Sequence, residues 1–541
     1  MTLEKALWRS PRSGRRISPE LEPFLQTPMQ DLIENIGCFL ARRAHRHPGL
    51  EALVVVESGV RLTYKQLNER ANRIANGLSA LGVNKGDRIG FLLKNRIEYI
   101  ESFFGAAKIG AIIVPLNWRL APDELKYILK DAGCTLLFYE SEFDSAIGAL
   151  RESETNLQKW VRVGGSESRP EFAVQYDDLY RSTSGSEPTI RAGDDDPLFI
   201  MYTSGTTGRP KGVVQTHGTM LWASLSWNMT CDMRHQDRHL IVLPVFHIGG
   251  LLPLISAVHR AQTVVLMGST DPNAVRAVIA SENVTVTHVV TTMFRRLLLE
   301  GDDQGTFRLR WVIVGGEAVP PSLVECAAAR GIEVLQDYGS TEAGPVTIMS
   351  SEDAVSKAGS CGKPHFHTEV RVIDDRGADV GPDEIGEIVV RARHIMKGYW
   401  NRPHSTSEVL RDGWFYTGDL ATIDSEGFLY IKDRKRDMII SGGENIYPAE
   451  VERVLMSHPH IREVAVIGQR SEKWGETPVA IVVLKDGTEM SLDCLISFCR
   501  GKIAGYKIPR SVEFVSELPR TVTGKVQKNL LRERFPGPVS S

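Results

Sequence analysis

The segment Tyr202–Val213 carries the residue types that can bind a chain of phosphate groups. Its three glycines let successive backbone N–H groups turn into one concavity, which suits an anion, and hydroxyl and ammonium groups add donors. The residues that we assign to this phosphate loop are Thr203, Ser204, Gly205, Thr206, Thr207, Gly208 and Lys211. Flexible surface linkers share this composition, and the segment is not a Walker A loop. Its place directly after the apolar stretch Leu198–Tyr202 nevertheless favours a polyphosphate site.

Two further loops follow apolar, β-branched segments. Trp311–Val314 is followed by Gly315–Pro320, and Val334–Gln336 is followed by Asp337–Glu342. A third segment of the same kind is Val284–Val290. Ligands of open α/β sheets bind beyond the carboxyl ends of the strands, so we expect these loops to line one crevice.

The pattern of elements around these loops predicts an α/β fold. Thr63–Gln66 reads as a capping box before a helix that Gly82 ends, and helix and strand patterns then alternate. We therefore predict a large N-terminal domain of stacked mixed sheets covered by helices. Past residue 365, short strands with Asp/Gly turns predict a small antiparallel, barrel-like subdomain.

A small mobile α+β domain is predicted at the carboxyl end, with the boundary inside Lys432–Asp437. Its predicted elements are a helix near Pro448–Met456, strands at Val464–Ile467 and Val479–Leu484, a helix at Leu492–Arg500 and a strand at Val512–Val515. The predicted divisions are a basic tail at 1–28, the N-terminal domain at 29–434 and the mobile domain at 435–541.

Composition and charge limit the possible location and binding partners of the protein. The chain has 541 residues, a formal net charge of −3 and seven scattered cysteines without metal spacing, which favours a cytoplasmic protein that does not bind nucleic acid. We expect no signal peptide and no transmembrane segment. A weak contact of the tail with a membrane surface, and a homodimer, stay open.

Eight segments in order along the chain resemble the motifs of the adenylate-forming enzymes. This family includes acyl-CoA synthetases, 4-coumarate-CoA-ligase-like enzymes, firefly-type luciferases and peptide-synthetase adenylation domains. The matching segments are Thr203–Gly212, Pro244–Gly250, Tyr338–Glu342, Met396–Trp400, Tyr416–Asp419, Asp433–Arg436, Ser441–Asn445 and Arg520–Lys525. The resemblance spans roughly residues 30–535 and implies ATP, CoA and Mg²⁺ as cofactors.

The resemblance also implies a role for each matching residue. Thr341 contacts phosphate, while Glu342 and Thr203 hold Mg²⁺, for which one carboxylate with phosphate oxygens and waters is the usual shell. The adenine and ribose contacts fall on Gly316, Glu317, Ala318, Asp337, Tyr338, Asp419 and Arg434. Lys525 is the catalytic residue, because an ammonium group can offset the repulsion between a substrate carboxylate and the α-phosphate.

A second reaction step requires the small domain to turn about Arg436, where the family usually has Asp or Lys. The face that it then presents carries Gly442, Gly443 and Glu444, beside which the arm of CoA passes. His247 resembles the gate between the thiol tunnel and the acyl pocket; a satisfied core histidine is the alternative.

The implied activity is an ATP-dependent acyl-CoA synthetase that forms an acyl-AMP, releases pyrophosphate and transfers the acyl group to CoA. No acid that could hold an ammonium group follows His247, and Gly249 and Gly250 are expected to leave room for an apolar chain. Met293, Phe294, Trp222 and Trp227 are candidates for the pocket lining or for the core. We favour a medium- or long-chain fatty acid. The alternatives are an aryl or alicyclic acid, loading of a separate carrier protein, a luciferase-like oxygenase and a non-catalytic nucleotide-binding protein.

Overall fold

The computed structural model describes residues 35–151, 155–165, 170–203, 210–299, 309–316, 319–441, 444–471, 474–500, 502–521 and 524–536. The predicted basic tail, 1–28, lies outside this part of the chain. Among the described residues, no helix has both the length and the apolar character needed to cross a bilayer.

The strands alternate with helices through most of the chain. In order they are β1 Glu51–Val55, β2 Val60–Thr63, β3 Arg88–Leu92, β4 Ile112–Pro115, β5 Leu136–Glu140, β6 Lys159–Val163, β7 Val174–Gln175, β8 Pro197–Thr203, β9 Lys211–Thr216, β10 Arg238–Ile241, β11 Thr263–Leu266, β12 Val286–Val290, β13 Trp311–Gly315, β14 Glu333–Ser340, β15 Gly344–Met349, β16 Lys363–Pro364, β17 Thr368–Ile373, β18 Gly386–Ala392, β19 Gly398–Tyr399, β20 Leu410–Arg411, β21 Trp414–Ile423, β22 Leu429–Arg434, β23 Ile439–Ser441, β24 Glu444–Ile446, β25 Ile461–Ser471, β26 Gly475–Leu484 and β27 Ser511–Phe514.

The α-helices of the described residues are Cys38–Arg46, Tyr64–Ala80, Ile97–Ile109, Pro122–Ala132, Asp144–Arg151, Tyr176–Arg181, His217–Thr230, Ile248–Arg260, Pro272–Ser281, Thr291–Leu299, Pro321–Ala328, Pro403–Val409, Pro448–Met456, Leu492–Cys499 and Lys528–Arg534. The predicted capping box is confirmed, since the Thr63 side chain accepts from the Gln66 N–H and the Gln66 side chain accepts from the Thr63 N–H. That helix ends at Ala80, and Gly82 follows in the left-handed region at φ +77°.

Two large mixed sheets form the body of the molecule, as predicted. Within the described residues, one has the order β16-β15-β14-β13-β12-β10-β11-β1-β2, and the other has the order β19-β9-β8-β4-β3-β5-β6-β7. The largest buried apolar cluster draws residues from both sheets and from the helices Tyr64–Ala80 and Ile97–Ile109. The helix Tyr64–Ala80 is buried on one face, whereas Ile97–Ile109 is buried on all sides from Tyr99 onward, and this shared core fixes the sheets relative to each other.

The predicted antiparallel subdomain is also confirmed. Strands β17, β18, β21 and β20 pair in that order, and β22 pairs with β21 as far as the partners Asp419 and Arg434. A fourth sheet, β24-β23-β26-β25 with β27 beside β26, is built from residues beyond Ile439. The two strands β25 and β26 are longer than predicted because their antiparallel pairing continues to Ser471 and Gly475.

Candidate active site

Three parallel strands bring two of the predicted loops to one sheet edge. Val290 at the end of β12 lies beside Gly315 of β13, and Gly315 lies beside Asp337 of β14. The strands are thus adjacent where the predicted loops begin, but β14 continues to Ser340 and pairs with β15, so Asp337–Ser340 belong to a strand and not to the predicted loop. Gly316 follows in the left-handed region at φ +91°, which a residue with a Cβ rarely adopts.

Tyr338, Asp419 and Arg434 form one hydrogen-bonded group. The Tyr338 hydroxyl donates to Asp419 Oδ2 at 2.6 Å, and Arg434 Nε lies 3.2 Å from Asp419 Oδ1. Burial and the Asp419 charge raise the pKa of Tyr338 well above its ordinary value, so this hydroxyl stays a donor. A carboxylate has about four acceptor positions, so Asp419 keeps capacity for a diol after these two contacts.

Glu342 lies where the phosphate loop begins. Its Oε1 accepts from the Thr203 hydroxyl at 3.5 Å and from the Tyr399 hydroxyl at 3.2 Å. The Lys211 ammonium lies 5.1 Å from the centre of the Tyr399 ring. Two hydroxyls and a carboxylate converge there, and such hard oxygen donors fit Mg²⁺.

The backbone before and after Glu342 is held by neighbours from two other segments. The Thr341 carbonyl accepts from Gln215 Nε2 at 2.8 Å, and the Glu342 carbonyl accepts from the Met396 N–H at 2.8 Å. Thr341 itself is buried. Of the predicted phosphate and metal residues, Thr203, Lys211, Thr341 and Glu342 are described, and β8, β9, β14 and the segment that enters β19 bring them together.

The middle of the chain contributes His247 and its last part contributes Lys525, and the two influence each other electrostatically. His247 precedes the helix Ile248–Arg260, and its pKa is lowered to about 4 by burial, with further contributions from the charges of Lys525 and Arg119. Its Nε2 has no hydrogen-bond partner among the described residues. The charge of Lys525 is thus close enough to His247 to lower the pKa of that histidine.

Lys525 lies on a tight turn. Thr521 and Lys525 are joined by N–H···O bonds in both directions, from the Thr521 N–H to the Lys525 carbonyl at 2.6 Å and from the Lys525 N–H to Thr521 Oγ1 at 3.1 Å. Gly524 takes φ +88°, as the prediction of a turn at Thr523–Gly524 requires. Thr523 lies outside the described residues.

Several predicted site residues cannot be placed or lie apart. Ser204, Gly205, Thr206, Thr207, Gly208, Glu317, Ala318, Gly442 and Gly443 lie outside the described residues. Glu444 is exposed at the start of β24, paired with Ser441, and no described contact joins it to the residues above. The Asp337 carboxylate faces away from Tyr338, towards His365 Nε2 at 3.3 Å.

The expectation that both glycines after His247 leave room for an apolar chain is wrong for Gly250 and stays a prediction for Gly249. A Cβ on Gly249 would lie at ordinary contact distances from Leu243 and His288, 3.6 and 3.7 Å. A Cβ on Gly250 would lie 2.4 Å from the Pro244 carbonyl oxygen. Gly250 therefore leaves no room for a ligand; its role is the close approach of the helix to the preceding turn.

The four residues that are candidates for the pocket lining lie in different surroundings. Met293 and Phe294 are buried in a core cluster with Leu297 and Leu323. Trp222 faces His367 and Arg393, with 4.5 Å between the guanidinium and the Trp222 ring centre. The Trp227 ring lies 5.5 Å from His288, the histidine beside Gly249.

Sequence reasoning missed Tyr399, Gln215 and His288. Tyr399 lies inside Met396–Trp400, one of the eight segments that resemble family motifs, for which the sequence predicts no residue role. Gln215 and His288 carry no local signal. Gln215 donates to the Thr341 carbonyl 126 positions away, and His288 is placed by the pairing of β12 with β13, so neither position can be recognised before the fold is known.

Comparison with known proteins identifies the class. The model of the AMP-binding enzyme matches residues 40–400, and that of the AMP-binding enzyme C-terminal domain matches residues 450–525. The chain belongs to the AMP-binding enzyme family. Within it the chain is an acid–thiol ligase, and ATP, CoA and Mg²⁺ are its cofactors.

The relatives are CoA ligases that act on different acids. The long-chain-fatty-acid–CoA ligase FadD13 of Mycobacterium tuberculosis is 43% identical over 93% of this chain and 99% of its own length. Feruloyl-CoA synthase of Amycolatopsis sp is 39% identical over 93% and 99%. The o-succinylbenzoate CoA synthetase of Bacillus subtilis, solved in complex with ATP and magnesium ion, is 35% identical, with a TM-score of 0.82 over 91% of this chain and 99% of that one.

Proposed function

We propose that this ligase activates a medium- or long-chain fatty acid to its acyl-AMP and passes the acyl group to CoA. The observation that carries the proposal is the charge of Lys525 acting on the buried His247. The hydrogen-bonded groups of Glu342 with Thr203 and of Asp419 with Tyr338 support it. The fatty-acid assignment is supported by Gly249 and by the likeness to a long-chain-fatty-acid–CoA ligase.

The chain's own residues divide the work as follows. Asp419 and Arg434 bind the ribose, with Tyr338 as one wall of the adenine slot; Gly316, Glu317, Ala318 and Asp337 complete it. Lys211 and the loop before it bind the outer phosphates. Glu342 and Thr203 hold Mg²⁺, which when bound neutralises phosphate charge.

Lys525 brings two anions together in the first step. At an effective dielectric near 20, two unit charges about 4 Å apart repel by about 4 kcal/mol, and an ammonium group between them offsets this. His247 is neutral near pH 7 because its pKa is about 4, so it adds no second cation there and can act as an uncharged gate beside the acyl group.

The second step requires Lys525 to leave, and we propose that residues 435–541 turn as one domain relative to residues 29–434. Arg436 is the proposed hinge, and it is partly exposed between β22 and β23. The face with Gly442, Gly443 and Glu444 then receives CoA. The chain's two family matches, separated by residues 401–449, support such a division.

An aryl acid is the second candidate, on one specific observation. His288, beside Gly249, and Trp227, 5.5 Å from His288, each have one buried nitrogen, Nδ1 and Nε1, without a hydrogen-bond partner among the described residues. A ring with a polar substituent could satisfy such groups, whereas an alkyl chain cannot. The relative that acts as a feruloyl-CoA synthase supports this alternative.

A panel of acids decides between the candidates. Acids from short to long chain, together with benzoate and cinnamate types, are scored by CoA-dependent AMP release. The proposal predicts the highest kcat/KM for an alkyl acid of medium or greater length. A clear preference for a cinnamate would support the second candidate, and AMP release with none of the acids would contradict both.

A further inference from the structure

The helix Pro448–Met456 starts without a cap of its own. Its N-cap residue, Tyr447, makes no side-chain cap bond, and Pro448 has no N–H to satisfy. The first helical N–H is that of Ala449, and it donates to Asp433 Oδ2 at 2.8 Å. A carboxylate at this position is favourable because it meets both an unpaired N–H and the positive end of the helix dipole.

Asp433 belongs to a different part of the chain from the helix that it caps. It lies on β22, which is paired with β21 of the antiparallel subdomain, whereas the helix follows the proposed hinge, Arg436. The Asp433 side chain is also fixed at its other oxygen, where Oδ1 accepts from the Arg434 N–H at 2.7 Å. Only 8% of the residue is exposed.

A chain of ion pairs continues from this cap to the last helix. Glu452, on the capped helix, pairs with Lys528 at 2.8 Å and accepts from the Val466 N–H at 2.7 Å. The charge of Lys528 acts on Asp433 as well, lowering a pKa that burial raises. Arg532, on the helix Lys528–Arg534, pairs with Asp437 at 2.8 Å.

These contacts bear on the position of Lys525, which precedes the last helix by three residues. A rotation about Arg436 carries Ala449 away from Asp433, since the two lie on opposite sides of the hinge. The cap therefore exists in the orientation that brings Lys525 towards His247 and is lost in any orientation far from it. A contact made in one state only shifts the equilibrium between the states.

We propose that Asp433 is a positioning residue that holds the C-terminal domain in the orientation of the first, acid-activating step. The proposal rests on the proposed function for the meaning of that orientation. The cap itself, and its effect on the two domains, stands on the contacts above.

The test separates the two half-reactions. In Asp433→Ala, acid-dependent ATP–pyrophosphate exchange is expected to fall on the order of ten-fold, because the loss of one helix cap lowers the population of the orientation that supports this step. Thioester formation from supplied acyl-AMP and CoA is expected to stay equal or to become faster. Asp433→Asn keeps an acceptor for the Ala449 N–H and loses the charge, so an intermediate value is expected. Asp486→Ala removes a fully exposed aspartate of the same domain and is the matched control.

Equal loss in both half-reactions would show that Asp433 is merely structural, and unchanged exchange would show that it does not hold the domain. Either result overturns the proposal. If Asp433→Ala does not fold, Asp433→Asn carries the same comparison.

A second measurement does not depend on activity. Hydrogen–deuterium exchange of the peptides that cover Glu444–Met456 and the turn at Lys525 is expected to be faster in Asp433→Ala than in Asp486→Ala. If the wild-type protein activates no acid, the proposed function fails while this readout still decides the role of Asp433. Unchanged protection of both peptides would contradict it.

Discussion

Glu342 is oriented by hydroxyl groups from two distant segments. Thr203 and Tyr399 both donate to Oε1, and the Tyr399 ring lies against the Lys211 ammonium. Tyr399 therefore contacts the proposed metal ligand Glu342 and the proposed phosphate-binding residue Lys211 with two different parts of one side chain. Its hydroxyl and its ring can be removed separately, which makes their contributions measurable.

Tyr399→Phe is expected to weaken the binding of MgATP by on the order of ten-fold and to leave the affinity for the acid unchanged. A lost hydrogen bond to a charged group corresponds to roughly 1.5–3 kcal/mol at most, and the ring contact with Lys211 is retained. Titration calorimetry of MgATP measures the effect without turnover. Tyr430→Phe, which removes a hydroxyl bonded to Asp424 at 3.3 Å, is the control. Equal MgATP affinity in wild type and Tyr399→Phe would exclude the orienting role.

At the scale of elements, the position of the helix Ile248–Arg260 depends on a close contact that leaves no room for a side chain at Gly250. Gly250 faces the Pro244 carbonyl, and the His247 N–H donates to that same carbonyl at 3.1 Å. The preceding glycine, Gly249, faces the space beside His288 instead. Gly250 thus serves the packing of the helix, whereas a role of Gly249 in the acyl site is a proposal.

Gly250→Ala is expected to destabilise the protein and to reduce activity with every acid, because a Cβ 2.4 Å from a carbonyl oxygen must move backbone. Gly249→Ala is expected to fold normally, since alanine is the better helix former and its Cβ meets only ordinary contacts. Its effect should be a changed preference among acids. Thermal unfolding and kcat/KM for the acid panel measure both. Equal loss of stability in the two variants would contradict this division.

Much of the element pattern could be predicted because it is local. The capping box at Thr63 and the apolar runs of β12, β13 and β14 are visible at helical or strand spacing, and their parallel order places the loops together. The bond from Tyr399 to Glu342 joins residues 57 positions apart, and the cap from Asp433 joins residues 16 apart. Nothing in local spacing specifies such pairs. The roles of Gly249 and Gly250 could not be separated either, because only the nearby Pro244 backbone distinguishes them.

At the scale of the whole molecule, buried neutral histidines link stability to pH. His239 and His217 are fully buried, and desolvation lowers the pKa of each to about 4, against the ordinary value of 6.5. The unfolded chain therefore binds more protons than the folded one between about pH 4 and 6.5. The free energy of unfolding therefore falls as the pH falls through that window. Above about pH 6.5 it no longer changes with the protonation of these two histidines.

His239→Gln is expected to flatten this dependence. The midpoint of thermal unfolding should drop less between pH 7 and pH 5 in the variant than in the wild type, even if the variant is less stable at pH 7. His404→Gln, at a side chain that is 89% exposed, should leave the pH dependence unchanged. An identical pH slope in wild type and His239→Gln would show that His239 does not contribute to it.

The proposed mechanism depends on a C-terminal domain that delivers Lys525 to the acid and the α-phosphate. The most direct measurement compares the two half-reactions in Lys525→Ala, with Lys485→Ala, an exposed lysine of the same domain, as control. Acid-dependent ATP–pyrophosphate exchange is expected to fall by about 10²–10³, as for other groups aimed at developing charge, while thioester formation from supplied acyl-AMP and CoA persists. Near-normal exchange in Lys525→Ala would contradict the central claim.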